Sequence, residues 1–127
     1  MLFSIYDDQV STIWYEKFFN AQKSNLKNGE YEKMVEAMNT IVDNSLENKE
    51  KFIVANHIPG SDWDDTPWAP IYYDACGQDY DHSAQFFGLL VAQVLMNRSD
   101  KWYFIRQEKS ATDGKEMRGM TYWKSDK

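Results

Sequence analysis

The sequence predicts an α+β domain, with about four helices leading into a small C-terminal sheet, and three observations carry that prediction. Residues 31–42 place Tyr31, Met34, Val35, Met38, Ile41 and Val42 at i, i+3, i+4 spacing, the period of a helix that buries one face. Residues 83–96 are apolar on nearly every side, as in a central helix enclosed by other elements. Residues 102–108 and 117–123 are rich in aromatic and β-branched side chains and flank Ala111-Thr112-Asp113-Gly114, the pattern of an antiparallel β-hairpin.

Each element follows from local signals. Asp7 or Asp8 is placed to cap a first helix reaching about residue 26, with Val10, Ile13, Trp14, Phe18 and Ala21 on one face and Asn28-Gly29 as its stop. The striped segment makes a second helix over about 30–45. Phe52-Ile53-Val54-Ala55 reads as a short strand, and Pro59-Gly60 breaks the chain after it. Thr66-Pro67 opens a third helix, threonine capping and proline at the first helical position, with Trp68, Ile71, Tyr72 and Ala75 inward and Gly77 as stop. Asp79 or Asp81 caps the central helix, which runs to about residue 97 and holds Gly88 where another backbone can approach.

Composition limits the function classes. A chain of 127 residues, 43% hydrophobic and 27% charged, fits a single compact domain over residues 1–127. Aromatic residues reach 16%, and their bulk supplies a core despite a mean hydropathy of −0.69. A lone cysteine, Cys76, cannot close an internal disulfide. The first residues lack the basic and apolar regions of a secretory signal, and the longest nearly apolar run, 86–92, falls far short of a ~20-residue membrane span. The expected location is the cytoplasm. A pI near 4.8 opposes nucleic acid or anionic membrane as principal partner, since both select basic surfaces.

Charge is unevenly distributed. Residues 1–56 carry a formal −3, residues 57–97 carry −6 with no lysine or arginine, and residues 98–127 carry +3. The middle segment holds Asp62, Asp64, Asp65, Asp74, Asp79 and Asp81 among Trp63, Trp68, Tyr72, Tyr73 and Tyr80. Uncompensated carboxylates are costly to bury, so this segment must face solvent or meet a positive partner.

The same residues complete no known catalytic or metal pattern. Asp62-Trp63-Asp64-Asp65 starts like a calcium loop, but Pro67 and Tyr73 stand where an EF-hand requires glycine and a bidentate glutamate. His57, Cys76, Asp81 and His82 lack the close ligand pairs of a zinc site, and Cys76 reads more simply as a small packed residue than as a nucleophile beside a histidine base. No phosphate-binding glycine loop, G-x-S-x-G elbow or H-E-x-x-H helix is present. No metal or cofactor is therefore expected, and the missing motifs favour a binding protein over an enzyme.

The leading expectation is a small acidic protein-binding module, of inhibitor or immunity type, that docks on a basic protein such as a nucleic-acid-processing enzyme. Its binding residues would be Asp62, Trp63, Asp64, Asp65, Trp68, Asp79, Tyr80 and Asp81. Trp63 is the expected exposed anchor, because it lies between aspartates without helical periodicity, whereas the spacing of Trp68 and Tyr72 turns both toward the core. The alternative is a small-molecule- or metal-binding protein, even a hydrolase, that uses the Asp, His and Cys side chains of the same segment. A third reading pairs the acidic middle of one copy with the basic hairpin of another in a homo-oligomer. Arg106, Lys109, Lys115 and Arg118 beside Trp102, Tyr103, Tyr122 and Trp123 would suit nucleic acid, but a solvated sheet face accounts for them more simply.

Overall fold

The chain opens in a strand, not ahead of a helix. A computed structural model describes residues 1–48, 52–54, 63–109 and 116–125. Its elements are strand β1 (Leu2–Phe3), helices α1 (Glu16–Lys23) and α2 (Glu30–Glu47), strand β2 (Phe52–Val54), a π-helical turn (Ile71–Ala75), helix α3 (Tyr80–Asn97), and strands β3 (Trp102–Lys109) and β4 (Glu116–Lys124). The architecture is α+β, as expected. The four strands lie in the order β1-β3-β4-β2; β1 runs parallel to β3, and the other neighbours are antiparallel.

The first predicted helix is corrected to half its length. Ser4 Oγ accepts from the backbone N–H groups of Tyr6 and Asp8, both at 3.2 Å, and Val10 N–H returns to Leu2 O at 2.8 Å. This tight turn, with Asp7 at φ 65°, uses the donors that a helix cap would have claimed. Val10 to Ile13 then includes β-branched residues of poor helix propensity, and Tyr15 at φ 51° sets the left-handed kink from which α1 starts. Ile13 is buried and Val10, Trp14 and Phe18 pack half-buried against the core, as expected, but Ala21 is exposed and Phe19, outside the predicted face, is buried and stacks on Phe86 at 4.8 Å. Gly29, at φ +87°, begins α2; α1 has already ended at Lys23.

The striped helix holds its register. Met34, Met38 and Val42 are buried, and Tyr31, Val35 and Ile41 pack half-buried around them. Helix α3 is the centre of the domain: Phe86, Leu90, Val91 and Leu95 are all 0% exposed. Burying one such leucine contributes on the order of 1.5–3 kcal/mol. Asp79 caps α3, its carboxylate accepting from His82 N–H at 3.0 Å. Gly88 is not the close-approach point expected of it, because a Cβ there would meet nothing within 4 Å.

Strands β3 and β4 pair antiparallel with Phe104 opposite Tyr122, the predicted 111–114 turn lying outside the described residues, and the sheet turns Leu2, Trp102 and Tyr122 into the core. β2 joins its far edge opposite Tyr122 and Trp123, so the short strand predicted there exists over Phe52–Val54; Ala55 and Pro59-Gly60 lie outside the described residues. Beyond α3, Arg98 donates to Asp100 (3.0 Å from both Nε and Nη2), Asn39 (2.9 Å) and Asp43 (2.8 Å), tying α2 to the loop that leads into β3. Trp102 Nε1 donates to the same Asp100 carboxylate at 2.8 Å. Burial alone would raise Asp100, but hydrogen bonds from Arg98 and Trp102 outweigh it and hold the group below the ordinary carboxylate range.

Candidate functional site

The acidic segment begins at a turn on a buried ring. Trp63 is 5% exposed, stacked near Tyr72 at 6.5 Å and set edge-on to Tyr80 at 6.5 Å and Phe87 at 6.1 Å. The expectation of an exposed Trp63 anchor is therefore corrected. Surface polarity on either side of a residue does not decide where a large ring goes, and burying an indole outweighs the alternation of charged neighbours. Its Nε1 is buried and makes no hydrogen bond among the described residues. Trp68, 2% exposed and edge-on to Phe87 at 5.1 Å, is also core, as its spacing implied. Neither ring is available at the surface as the protein stands.

Thr66 holds a local turn, its hydroxyl accepting from Trp68 N–H at 3.2 Å and donating to Trp63 O at 2.7 Å, but it is not the predicted cap: the helical turn that follows has Pro70 at its N-cap position and no side-chain cap. The α-helix predicted after it is instead a π-helical turn, in which Cys76 N–H reaches back five residues to Ile71 O at 3.0 Å. Prolines at 67 and 70 remove two of the first backbone donors, and Gly77 and Gln78 at φ +58° and +65° finish the turn. Ile71 and Ala75 face inward as predicted, Tyr72 is half-buried, and Tyr73 is 47% exposed.

Around this frame two contacts link acidic parts of the segment. Tyr73 donates its hydroxyl to Asp64, and the Trp63–Tyr80 contact brings the 63–65 turn beside the start of α3, where Asp79 and Asp81 are exposed. Asp65 is exposed and held at φ 59°, a left-handed conformation that Asp and Asn tolerate. Tyr80 is 52% exposed. His82 sets its ring edge-on to Phe18 at 5.4 Å and its Nδ1 lies 3.4 Å from Asp79. Asp74 turns aside to Lys27 at 3.9 Å. Among the described residues, Asp65, Asp79 and Asp81 form no ion pair with a lysine or arginine. Asp62 lies outside the described residues.

Cys76 is 8% exposed, and burial raises its thiol above the ordinary value, with a smaller opposing effect from the Ser83 hydroxyl and a further rise from Asp79. Among the described residues no three His, Cys, Asp or Glu side chains are grouped to hold a metal ion, and His57 lies outside them. No helix among the described residues is long and apolar enough to cross a membrane.

Tyr73, part of the aromatic set of the middle segment but not of the expected binding residues, belongs to this surface. Its signal was present: if Trp68 and Tyr72 face inward on a helical turn, the next residue faces out. Comparison with protein-family models, characterised proteins and solved structures finds no match for this chain.

Proposed function

We propose that this protein is an acidic binding module that docks on a positively charged protein through the surface built by residues 63–82, in the manner of an inhibitor or immunity protein. The observation that supports it is the grouping of exposed Tyr73 and Tyr80 with Asp64, Asp65, Asp79 and Asp81 on a frame fixed by buried Trp63 and Trp68. Tyrosine rings supply large contact area with few rotatable bonds, and carboxylates around them steer and orient a cationic surface. A nucleic-acid-processing enzyme is a fitting partner type, because its substrate surface is basic.

The test is capture from host lysate at low and high salt, followed by association kinetics with the captured partner. Asp65→Asn with Asp81→Asn removes two charges while keeping the left-handed backbone at 65 accessible. The association rate at low ionic strength should fall several-fold, its salt dependence should flatten, and the melting temperature should hold. Tyr80→Ala should mainly raise the dissociation rate. Unchanged kinetics in both variants would leave this surface as a solvated face and end the proposal.

A further inference from the structure

A second feature lies away from the acidic surface, in the seam between α2 and α3. A cleft of about 450 Å³, open to solvent, is lined from α2 by Tyr31, Val35 and Asn39, from α3 by Gln93, Val94 and Asn97, and from the loop after α3 by Arg98, Ser99 and Asp100. Its volume falls within the range of small-molecule sites, roughly 300–1,000 Å³. Tyr31, Val35 and Asn39 are successive i, i+4 positions on one face of α2, and Gln93 and Asn97 are the same on α3, so two rigid helices set the spacing of the polar groups.

The charged groups here are already paired with protein partners, whereas the neutral ones, exposed or half-buried, are left to solvent or a ligand. Four hydrogen bonds leave the Arg98 guanidinium, to Asp100 twice, to Asn39 and to Asp43. The Asp100 carboxylate in turn accepts from Arg98 and Trp102. An incoming anion would meet a neutralised cation with two carboxylates behind it. By contrast, the Tyr31 hydroxyl, the Asn39 amide N–H₂, the Gln93 and Asn97 amides and the Ser99 hydroxyl have no protein partner among the described residues. Val35 and Val94 give the cleft an apolar floor.

We propose that this cleft binds a neutral small molecule of nucleoside size, held by its hydrogen-bonding edges and not by charge. Side-chain amides present a donor and an acceptor side by side, which matches the amide-like edges of heterocyclic bases, and asparagine and glutamine read such edges bidentately. The site is independent of the acidic surface and stands or falls separately from it.

Titrating the isotopically labelled full chain with each of the four common ribonucleosides, followed by NMR, tests this. At least one should give saturable shifts centred on the amides of Val35, Val94 and Ser99. Its affinity should weaken by about tenfold in Gln93→Ala and in Asn97→Ala, on the order of one or two lost hydrogen bonds. Ser99→Ala, at an exposed loop position, serves as a third variant if either helix substitution lowers the melting temperature. The proposal is overturned if no nucleoside saturates in the millimolar range, if the shifts map elsewhere, or if the variants bind like the wild type. It is equally overturned if the corresponding 5′-monophosphates bind more tightly than the nucleosides, which would make the cleft an anion site.

Discussion

Trp63→Ala separates a buried support from an exposed anchor, and the structure sets the expected size of the effect. The ring is 5% exposed and touches Tyr72, Tyr80 and Phe87, so truncation removes a buried indole from among three other rings. Buried Trp→Ala changes cost about 3–5 kcal/mol. The lower end applies here, because alanine also deletes an Nε1 donor that is buried without a partner among the described residues, a defect that itself costs on the order of 1–3 kcal/mol. A loss near 3 kcal/mol is a large fraction of the ~5–15 kcal/mol that holds a domain folded. With unfolding entropy near 2.1 cal/mol/K per residue, the 127-residue chain should melt roughly 11 °C lower. Urea unfolding followed by circular dichroism, with calorimetry alongside, measures both quantities. Trp63→Phe keeps an aromatic ring and removes the orphan donor, so it should cost less than Trp63→Ala. If Trp63→Ala melts within about 2 °C of wild type, the ring is not part of the core, and the frame assigned to the acidic surface is wrong.

Two further outcomes follow from the sheet and its neighbouring loop. Tyr122 is 0% exposed, its hydroxyl has no partner among the described residues, and burial raises its pKa far above the ordinary phenol range, so Tyr122→Phe should stabilise the protein by about 0.5–2 kcal/mol. Even a void of ~30 Å³, a water's share of liquid volume, would offset only about 0.7 kcal/mol of that gain at ~24 cal/mol per Å³. A destabilised variant in chemical denaturation would mean the hydroxyl is satisfied and would refute the inference. Asp100 titrates below its ordinary value in the folded protein, so the unfolded chain takes up its proton first as pH falls. Its contribution is complete above the ordinary aspartate range and is lost as pH drops through the folded value. Urea midpoints measured down an acid series should show a loss that is smaller in Asp100→Asn, and parallel curves would contradict the assignment.

Helix α2 and the buried nature of α3 were legible in the sequence because their signals are local and redundant. A run of apolar residues at 3.6-residue spacing has one good way to bury itself, and a helix apolar all round can sit only in the interior. The hairpin was legible for the same reason, since alternation in two β-rich runs and a glycine-bearing turn point one way. Position along the chain also revealed the acidic bias of residues 57–97, because charge is a property of composition. Other features depended on partners far away in sequence. Leu2–Phe3 became a strand because β3, a hundred residues later, offers it a parallel edge, while the Met1 ammonium meets the carbonyls of Leu95, Arg98 and Asp100 at the end of α3. Trp63 was drawn inward by Tyr72 and Phe87, both marked as inward by local pattern, which does not show that they meet residue 63. The π-helical turn arose where two prolines removed donors from a segment whose apolar spacing still suited a helix. The cleft between α2 and α3 exists only because packing aligns the polar positions of two helices, each of which, read alone, shows scattered amides on a soluble surface. Periodicity settles what a segment buries; which distant surface it is buried against, and so which side chains meet, is decided by tertiary packing.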